Sequence, residues 1–347
     1  MKRVTFVFLG LFFTAVYGFS QAGIQPAATV NLIRTEAITV AQLRTEVERM
    51  ERAANRTMSQ AERLQVLDVM INERLALQAA ERDRITVSEN DVNQHIQQLR
   101  ASMSQRLGRQ PTDAEFAQAV MNESGLDVAN FREQLRRQMI VQRYLMHRKG
   151  DLINSVRTPT DEEITSEYSL TRANFVRPET IRFSMIQVPY GPDAASRARA
   201  RTLADSLVRE INNDPSRFDE VAARSVTPNS GYQAGDAGFM PRNQEARNVV
   251  GQDFMDVAFG LRQGQVSRLI EGRQGFQIIK VTENYALRQL ELNDILQLGA
   301  RVTVRQFIGQ QMLNHRQQAI LAQASQELVA ELRTNRTFQV FENNIRW

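Results

Sequence analysis

Residues 302–333 carry a long amphipathic pattern, and this pattern constrains the fold more than any other part of the sequence. Its apolar residues recur at helical spacing; they are Val304, Ile308, Met312, Ile320, Ala324, Leu328 and Leu332. A lone helix of this length cannot bury such a stripe, because most helical stability in proteins comes from packing against other elements. We therefore expect the helix to pack on another part of the chain.

The N-terminal part of the chain offers that partner, since residues 28 to about 157 read as a strand followed by helices. Thr29–Ile33 favours a strand, and the later alternating segment "TFQVF", residues 337–341, predicts a second strand that pairs with it near Val30. Capping-box pairs mark the starts of four helices, and a fifth start follows an aspartate; these residues are Thr39, Ser59, Ser88, Thr112 and Asp127. Both chain ends are thus expected to build one helical domain.

Residues 179–284 have a different pattern. The segment "ETIRFSMIQVPYG" predicts a strand that ends in turn residues, helices follow, and "GFQIIKVTEN" predicts a returning strand. The glycine-rich segment "NSGYQAGDAGFMP" is expected to be irregular. A strand, helices and returning strands within about 100 residues indicate a compact α+β domain. The fold class is α+β, with this domain inserted into the helical one.

The predicted boundaries follow from these changes of pattern. Residues 1–22 are a signal peptide, 23–157 the helical domain, 158–178 a linker, 179–284 the α+β domain, and 285–347 a helix and strand that complete the helical domain. Lys2 and Arg3 precede an apolar run, and small residues follow it, as in a secretory signal. A membrane anchor is the alternative, although the run is short for one. We expect cleavage near residues 20–23 and a soluble periplasmic chain without stable membrane insertion.

Composition narrows the possible chemistry. The chain has no cysteine, which excludes disulfides and thiolate sites, and its three histidines are far apart in sequence. We therefore predict no metal and no cofactor. The net charge of +4 is spread along the chain and not gathered in a run, so no nucleic-acid partner is expected.

The middle segment resembles the parvulin-type (PpiC-like) peptidyl-prolyl isomerases. The resemblance rests on "FDEVAARS", "GDAGFM", "FMDVAF", "GQVS" and "GFQIIKV", in this order over about residues 179–284. The flanking helices resemble those of SurA-like periplasmic chaperones. The resemblance implies a folding chaperone for unfolded or nascent envelope and outer-membrane polypeptides, with X-Pro peptides as ligands.

The resemblance also assigns positions to the site. Met185 and Gln277 stand where the family has its two active-site histidines, and Thr227 stands at its cysteine or aspartate. The substrate-binding wall is implied at Met185, Val250, Phe254 and Phe259. The apolar wall would be kept and the polar centre replaced, so no catalytic residue is assigned and isomerase activity is expected to be weak or lost.

Other interpretations of these residues stay open. Met185, Val250 and Phe254 are equally explained as ordinary core, Gln277 as an interior amide, and Asp236 as a carboxylate that caps a turn. The alternative functions are an active prolyl isomerase acting on X-Pro bonds of exported proteins and a structural envelope protein that uses the domain for binding.

Overall fold

The computed structural model describes residues 25–334 and 337–347, so the predicted signal peptide lies outside the described residues. The described residues divide into two compact units, one formed by residues 25–157 with 315–334 and 337–347, and the other by residues 158–314. The predicted α+β class, with one unit built from both chain ends and the other inserted, is confirmed. In the described part of the chain, no helix combines the length and apolar character needed to cross a bilayer.

The described α-helices are numbered in chain order. They are α1 (Val40–Ala54), α2 (Gln60–Arg82), α3 (Glu89–Leu107), α4 (Asp113–Ser124), α5 (Val128–Asn154), α6 (Asp161–Thr171), α7 (Ala194–Ile211), α8 (Pro215–Arg224), α9 (Gln244–Val250), α10 (Gln252–Gly260) and α11 (Val304–Leu332).

The described strands follow the same numbering. They are β1 (Pro26–Asn31), β2 (Thr35–Thr39), β3 (Val176–Arg177), β4 (Thr180–Pro189), β5 (Gln233–Pro241), β6 (Ile270–Glu271), β7 (Gly275–Tyr285), β8 (Arg288–Gln289) and β9 (Phe338–Val340). Short 3₁₀ helices at Arg172–Asn174 and Glu342–Ile345 complete the described elements.

The first unit is closed by a three-stranded antiparallel sheet in the order β2-β1-β9, in which Val30 pairs with Phe338. Its core joins Val30 and buried residues of α2 to Leu328 and Leu332 of α11. The expected pairing of the last strand with the first is therefore confirmed, and so is the packing of the C-terminal half of the apolar stripe in this unit. Val304 and Ile308, in the N-terminal half of the stripe, lie instead in a core of the second unit. The helix starts were also predicted correctly, since side chains of Thr39, Ser59, Ser88, Thr112 and Asp127 cap α1 to α5.

The second unit begins earlier and ends later than the sequence pattern suggested. Residues 158–178, expected to be a linker, contain α6, and residues 285–314 lie in this unit instead of completing the first. Ile164 and Tyr168 of α6 pack with Leu290 and with Val304 and Ile308 of α11. A helix as short as α6 carries too few apolar positions for its periodicity to be recognised.

A four-stranded antiparallel sheet in the order β5-β4-β7-β6 forms the centre of the second unit. Its two faces pack against different helices. Ile186, Val188 and Ile278 belong to one cluster with α7 and α8. Phe183 and Ile279 belong to another with α10. The sheet is therefore covered on both faces.

The glycine-rich segment that was expected to be irregular contains strand β5. Its residues 233–241 pair with β4, and the ladder shifts register between Phe183 and Ser184, where Gly238 and Asp236 are the partners. Ala237 is the extra residue of this bulge, and Gly238 has a φ of +78°, a conformation that favours glycine. The glycines thus allow a bulge inside a strand instead of preventing the strand.

A buried carboxylate lies in the first unit at Glu73 of α2. Its side chain is 11% exposed, and one of its oxygens lies 3.7 Å from Nε of Arg137. Burial raises the pKa of Glu73 from 4.5 to about 7, against the opposing effect of the nearby Arg137 and Arg74 cations. Its Oε2 has no hydrogen-bond partner in the described part of the chain.

We expect Glu73→Gln to change the pH dependence of stability. Because the folded pKa is above the unfolded value, the favourable contribution of the protonated carboxyl is complete below about pH 4.5 and is lost as pH rises through about 7. This loss is up to about 3 kcal/mol in the wild type and absent in the variant. Urea unfolding at pH 5 and pH 8 should therefore show the variant gaining stability relative to wild type at pH 8. The control is Glu81→Gln, at an exposed position of the same helix. If the stability of the wild type and of Glu73→Gln depends on pH in the same way, the raised pKa of Glu73 is contradicted.

Candidate functional site

An apolar cluster on the α10 face of the second unit contains the predicted wall residues. Phe254 is buried, and its ring meets the Phe183 ring edge-on with 5.7 Å between centroids. Met185, Val250 and Phe259 are half-buried and pack against the same cluster. The structure therefore brings the four residues of the predicted wall into one apolar surface, with three of them partly accessible.

Met185 lies in the middle of the sheet. On β4 it pairs with Gly235 of β5 on one side and with Ile279 of β7 on the other. Gly235 has no side chain to cover Met185 from its side, and Met185 is half-buried. A thioether is a weak acceptor and cannot donate a hydrogen bond, so Met185 contributes apolar surface and no polar chemistry.

Gln277 lies on β7, opposite Gln187 of β4 and beside Ile270 of β6. It is half-buried, and no hydrogen bond joins its amide to another group in residues 25–334 and 337–347. The amide rests against Gly272, where an added Cβ would lie 2.8 Å from the Gln277 Oε1. Gln187 was not among the predicted site residues, because only the register of two strands distant in sequence places it next to Gln277.

Thr227 does not belong to this apolar cluster. It lies in an exposed turn after α8, where its N–H donates to the Arg224 carbonyl oxygen and its own carbonyl accepts from the Ser230 N–H. The preceding helix α8 packs through Phe218 and Val221 on the other face of the sheet.

Asp236 acts as a structural carboxylate. It accepts a hydrogen bond from the Gly238 N–H at 2.9 Å and is paired with Arg182 at 2.6 Å. Arg182 also pairs with Glu283 of β7. The Arg182 guanidinium lowers the pKa of Asp236 below its usual range, so the carboxyl is ionised at neutral pH and holds the bulge, in agreement with a turn-capping role.

The site therefore combines an apolar surface with the neutral amide of Gln277. Of the residues that form it, Met185, Val250, Phe254, Phe259 and Gln277, none changes charge near neutral pH. Such a surface can bind an apolar ring and form neutral hydrogen bonds, but its own side chains cannot transfer protons.

This fold and site define a parvulin-type domain. Residues 183–283 match the PPIC-type PPIase domain, also called rotamase. Residues 2–145 match the SurA-like N-terminal domain. The chain therefore carries a SurA-like N-terminal domain followed by a PPIC-type domain.

Curated relatives agree with this assignment. Chaperone SurA of Chromohalobacter salexigens is 25% identical over 291 residues, which are 82% of this chain and 63% of that protein. Chaperone SurA of Alcanivorax borkumensis is 29% identical over 222 residues, 64% of this chain and 47% of that protein. The chain thus spans less than two thirds of the length of these relatives.

Among solved structures, a SurA-like chaperone of Campylobacter jejuni matches with a TM-score of 0.39 and 11% identity, over 91% of this chain and 99% of that one. The peptidylprolyl isomerase PrsA of Bacillus anthracis matches with a TM-score of 0.24 and 18% identity, over 78% of this chain and 99% of that one.

Proposed function

We propose that this protein is an exported folding chaperone whose PPIC-type domain binds proline-containing segments of unfolded envelope polypeptides and isomerises them weakly or not at all. The observation that supports this proposal most strongly is the apolar cluster around Phe254 with the neutral residues Met185 and Gln277 beside it. Such a surface suits a proline ring but lacks a group that titrates near neutral pH.

The replacement of the family's histidines is part of the proposal. Met185 and Gln277 occupy the positions that the parvulin resemblance assigns to histidines, and the sequence has no histidine between His147 and His315. Isomerisation has to lower a rotation barrier of about 18–20 kcal/mol. Polar groups that favour the twisted amide over the planar one supply part of that reduction. The thioether of Met185 and the amide of Gln277 lower this barrier less than a hydrogen-bonded pair of imidazoles does.

The SurA-like match and the chaperone relatives support the proposed clients and location. The helical unit would hold unfolded or nascent envelope polypeptides, and the PPIC-type domain would hold their X-Pro segments. Export is proposed from the signal-like residues 1–22. N-terminal sequencing of the protein from the envelope fraction should find a mature start near residues 21–23; retention of Met1 in a membrane-embedded chain would contradict export with cleavage.

An active prolyl isomerase is the second candidate. The match of residues 183–283 to the PPIC-type domain and the retained apolar wall favour it. The two candidates differ in turnover, because uncatalysed isomerisation takes tens to hundreds of seconds and even weak catalysis is visible against it.

The test measures isomerisation of a short X-Pro peptide by the wild type and by Met185→His/Gln277→His. We expect the wild type to be far slower than a histidine-bearing parvulin, and the double variant to gain rate if only the polar centre is missing. A double substitution at exposed positions, Gln263→His with Gln274→His, controls for added imidazoles. A wild-type rate equal to that of the histidine-bearing parvulin would favour the enzyme. Suppression of client aggregation, measured in parallel, tests the chaperone activity itself.

A further inference from the structure

Three glutamines form a row across the sheet of the second unit. Gln233 of β5 pairs with Gln187 of β4, and Gln187 pairs in turn with Gln277 of β7. We call these three residues the glutamine row. The next position on β6 is Ile270, which is buried in the apolar cluster that contains Phe254.

The glutamine row lies on the same face as the candidate site. Ile186 and Val188, on either side of Gln187, pack toward α7 and α8, so Gln187 points to the opposite face. Met185, two residues earlier, shares that face and packs against the Phe254 cluster. Residues paired directly across strands project to one side, so the row runs alongside Met185 at about 7 Å, the rise of two strand residues.

The amides of the glutamine row have no hydrogen-bond partner among the residues that the structure describes. No side-chain hydrogen bond joins Gln187, Gln233 or Gln277 to another group in the described part of the chain. Gln187 and Gln277 are nevertheless half-buried. Half-buried amides can still form hydrogen bonds with water or with a ligand. A ligand that forms these hydrogen bonds beside the apolar cluster gains affinity.

We propose that the glutamine row binds the peptide backbone next to the proline of a bound segment, an assignment that rests on the proposed function. Each glutamine amide offers one acceptor oxygen and two N–H donors, which complement the N–H and C=O groups of a peptide. The proline ring occupies the apolar cluster, and the flanking residues lie extended over the row. The preferred ligand is an uncharged extended segment, because neutral amides offer a charged side chain no counter-charge.

The test measures the affinity of a fluorescently labelled hexapeptide with neutral side chains and a central Ala-Pro bond. Gln187→Leu and Gln277→Leu are each expected to weaken binding by about 3- to 10-fold, the range of one lost hydrogen bond. Gln263→Leu, in an exposed turn of the same domain, should bind as the wild type does.

Ester analogues separate a direct contact from a structural role. Each backbone N–H that flanks the Ala-Pro unit is replaced in turn by an ester oxygen. We expect at least one ester analogue to bind the wild type several-fold more weakly than the parent peptide does. The variant that lacks the contacting glutamine should bind this analogue and the parent peptide with equal affinity. A purely structural role would lower the affinities for parent and analogue by the same factor in the variant, and this result would overturn the proposal.

Gly272→Ala gives a second test that leaves the glutamines in place. Gly272 does not have a left-handed φ, and its added Cβ would lie 2.8 Å from the Gln277 Oε1, so the substitution displaces the amide. It should weaken peptide binding in the wild-type background and have no further effect in a Gln277→Ala background.

The outcomes distinguish the two proposals. If the wild type, both leucine variants and Gly272→Ala all bind the hexapeptide with the same affinity, the role proposed for the glutamine row is overturned. The proposed function then still stands. If the wild type does not bind the hexapeptide, the proposed peptide binding fails and the row fails with it.

Discussion

Replacing Gly275 with alanine is expected to lower the thermal midpoint of the PPIC-type domain by roughly 10–20 °C, from a loss of about 3 kcal/mol. Gly275 begins β7 and pairs with Pro189 at the end of β4. An added Cβ would overlap the Val188 carbonyl oxygen and would lie 2.9 Å from the Pro189 Cα. These atoms belong to the backbone of a central strand, so they cannot move aside without breaking the ladder.

Gly235→Ala is the matched control on the same sheet. In the described part of the chain, nothing lies within 4 Å of the Cβ that alanine would add there, and Gly235 does not have a left-handed φ. We expect no loss of stability, or a gain of about 0.4–1 kcal/mol through the unfolded state. Equal midpoints for Gly275→Ala and Gly235→Ala would contradict the close approach of β7 to β4.

Leu328→Ala is expected to destabilise the helical unit by about 2–5 kcal/mol and to leave the PPIC-type domain unchanged. Leu328 is 4% exposed and belongs to the core that also contains Val30 and Leu67. Its truncation leaves a cavity where α11 supports the N-terminal helices.

Leu321→Ala on the same helix provides the comparison, since Leu321 is 43% exposed. Hydrogen exchange resolved along the chain should show faster exchange in α1 and α2 for Leu328→Ala and no change in β4 and β7. Unchanged protection of α1 and α2 would show that the C-terminal helix does not stabilise the N-terminal helices.

The construction of the helical unit from both chain ends has a consequence for folding. Strand β1 cannot acquire its β9 partner until the last residues of the chain are available, because Val30 pairs with Phe338. Contacts between distant parts of a sequence form slowly, since loop closure must precede them. The N-terminal helices are thus expected to remain incomplete during synthesis, while residues 158–314 can form their own cores.

Local sequence was sufficient for the helix starts of the first unit and for strands β4 and β7 of the PPIC-type domain. A capping box such as Ser59 with Glu62 involves residues three positions apart, so its meaning does not depend on the rest of the fold. The run of β-favouring residues around Ile278 and Ile279 likewise indicated a buried strand. The apolar stripe of α11 required a partner, and this requirement predicted the two-ended unit.

Tertiary structure decided the features that depend on which segments meet. Helix α6 is held by Leu290 and by Val304 and Ile308 of α11, residues that no local pattern links to it, so it was predicted as linker. Strand β5 forms because β4 offers a ladder and Gly238 allows a bulge, whereas glycine-rich composition alone indicated a loop. Gln187 and Gln277 are neighbours only because of the register in which β4 pairs with β7. For two strands this far apart in sequence, the register is set by the faces that they bury and not by a turn between them.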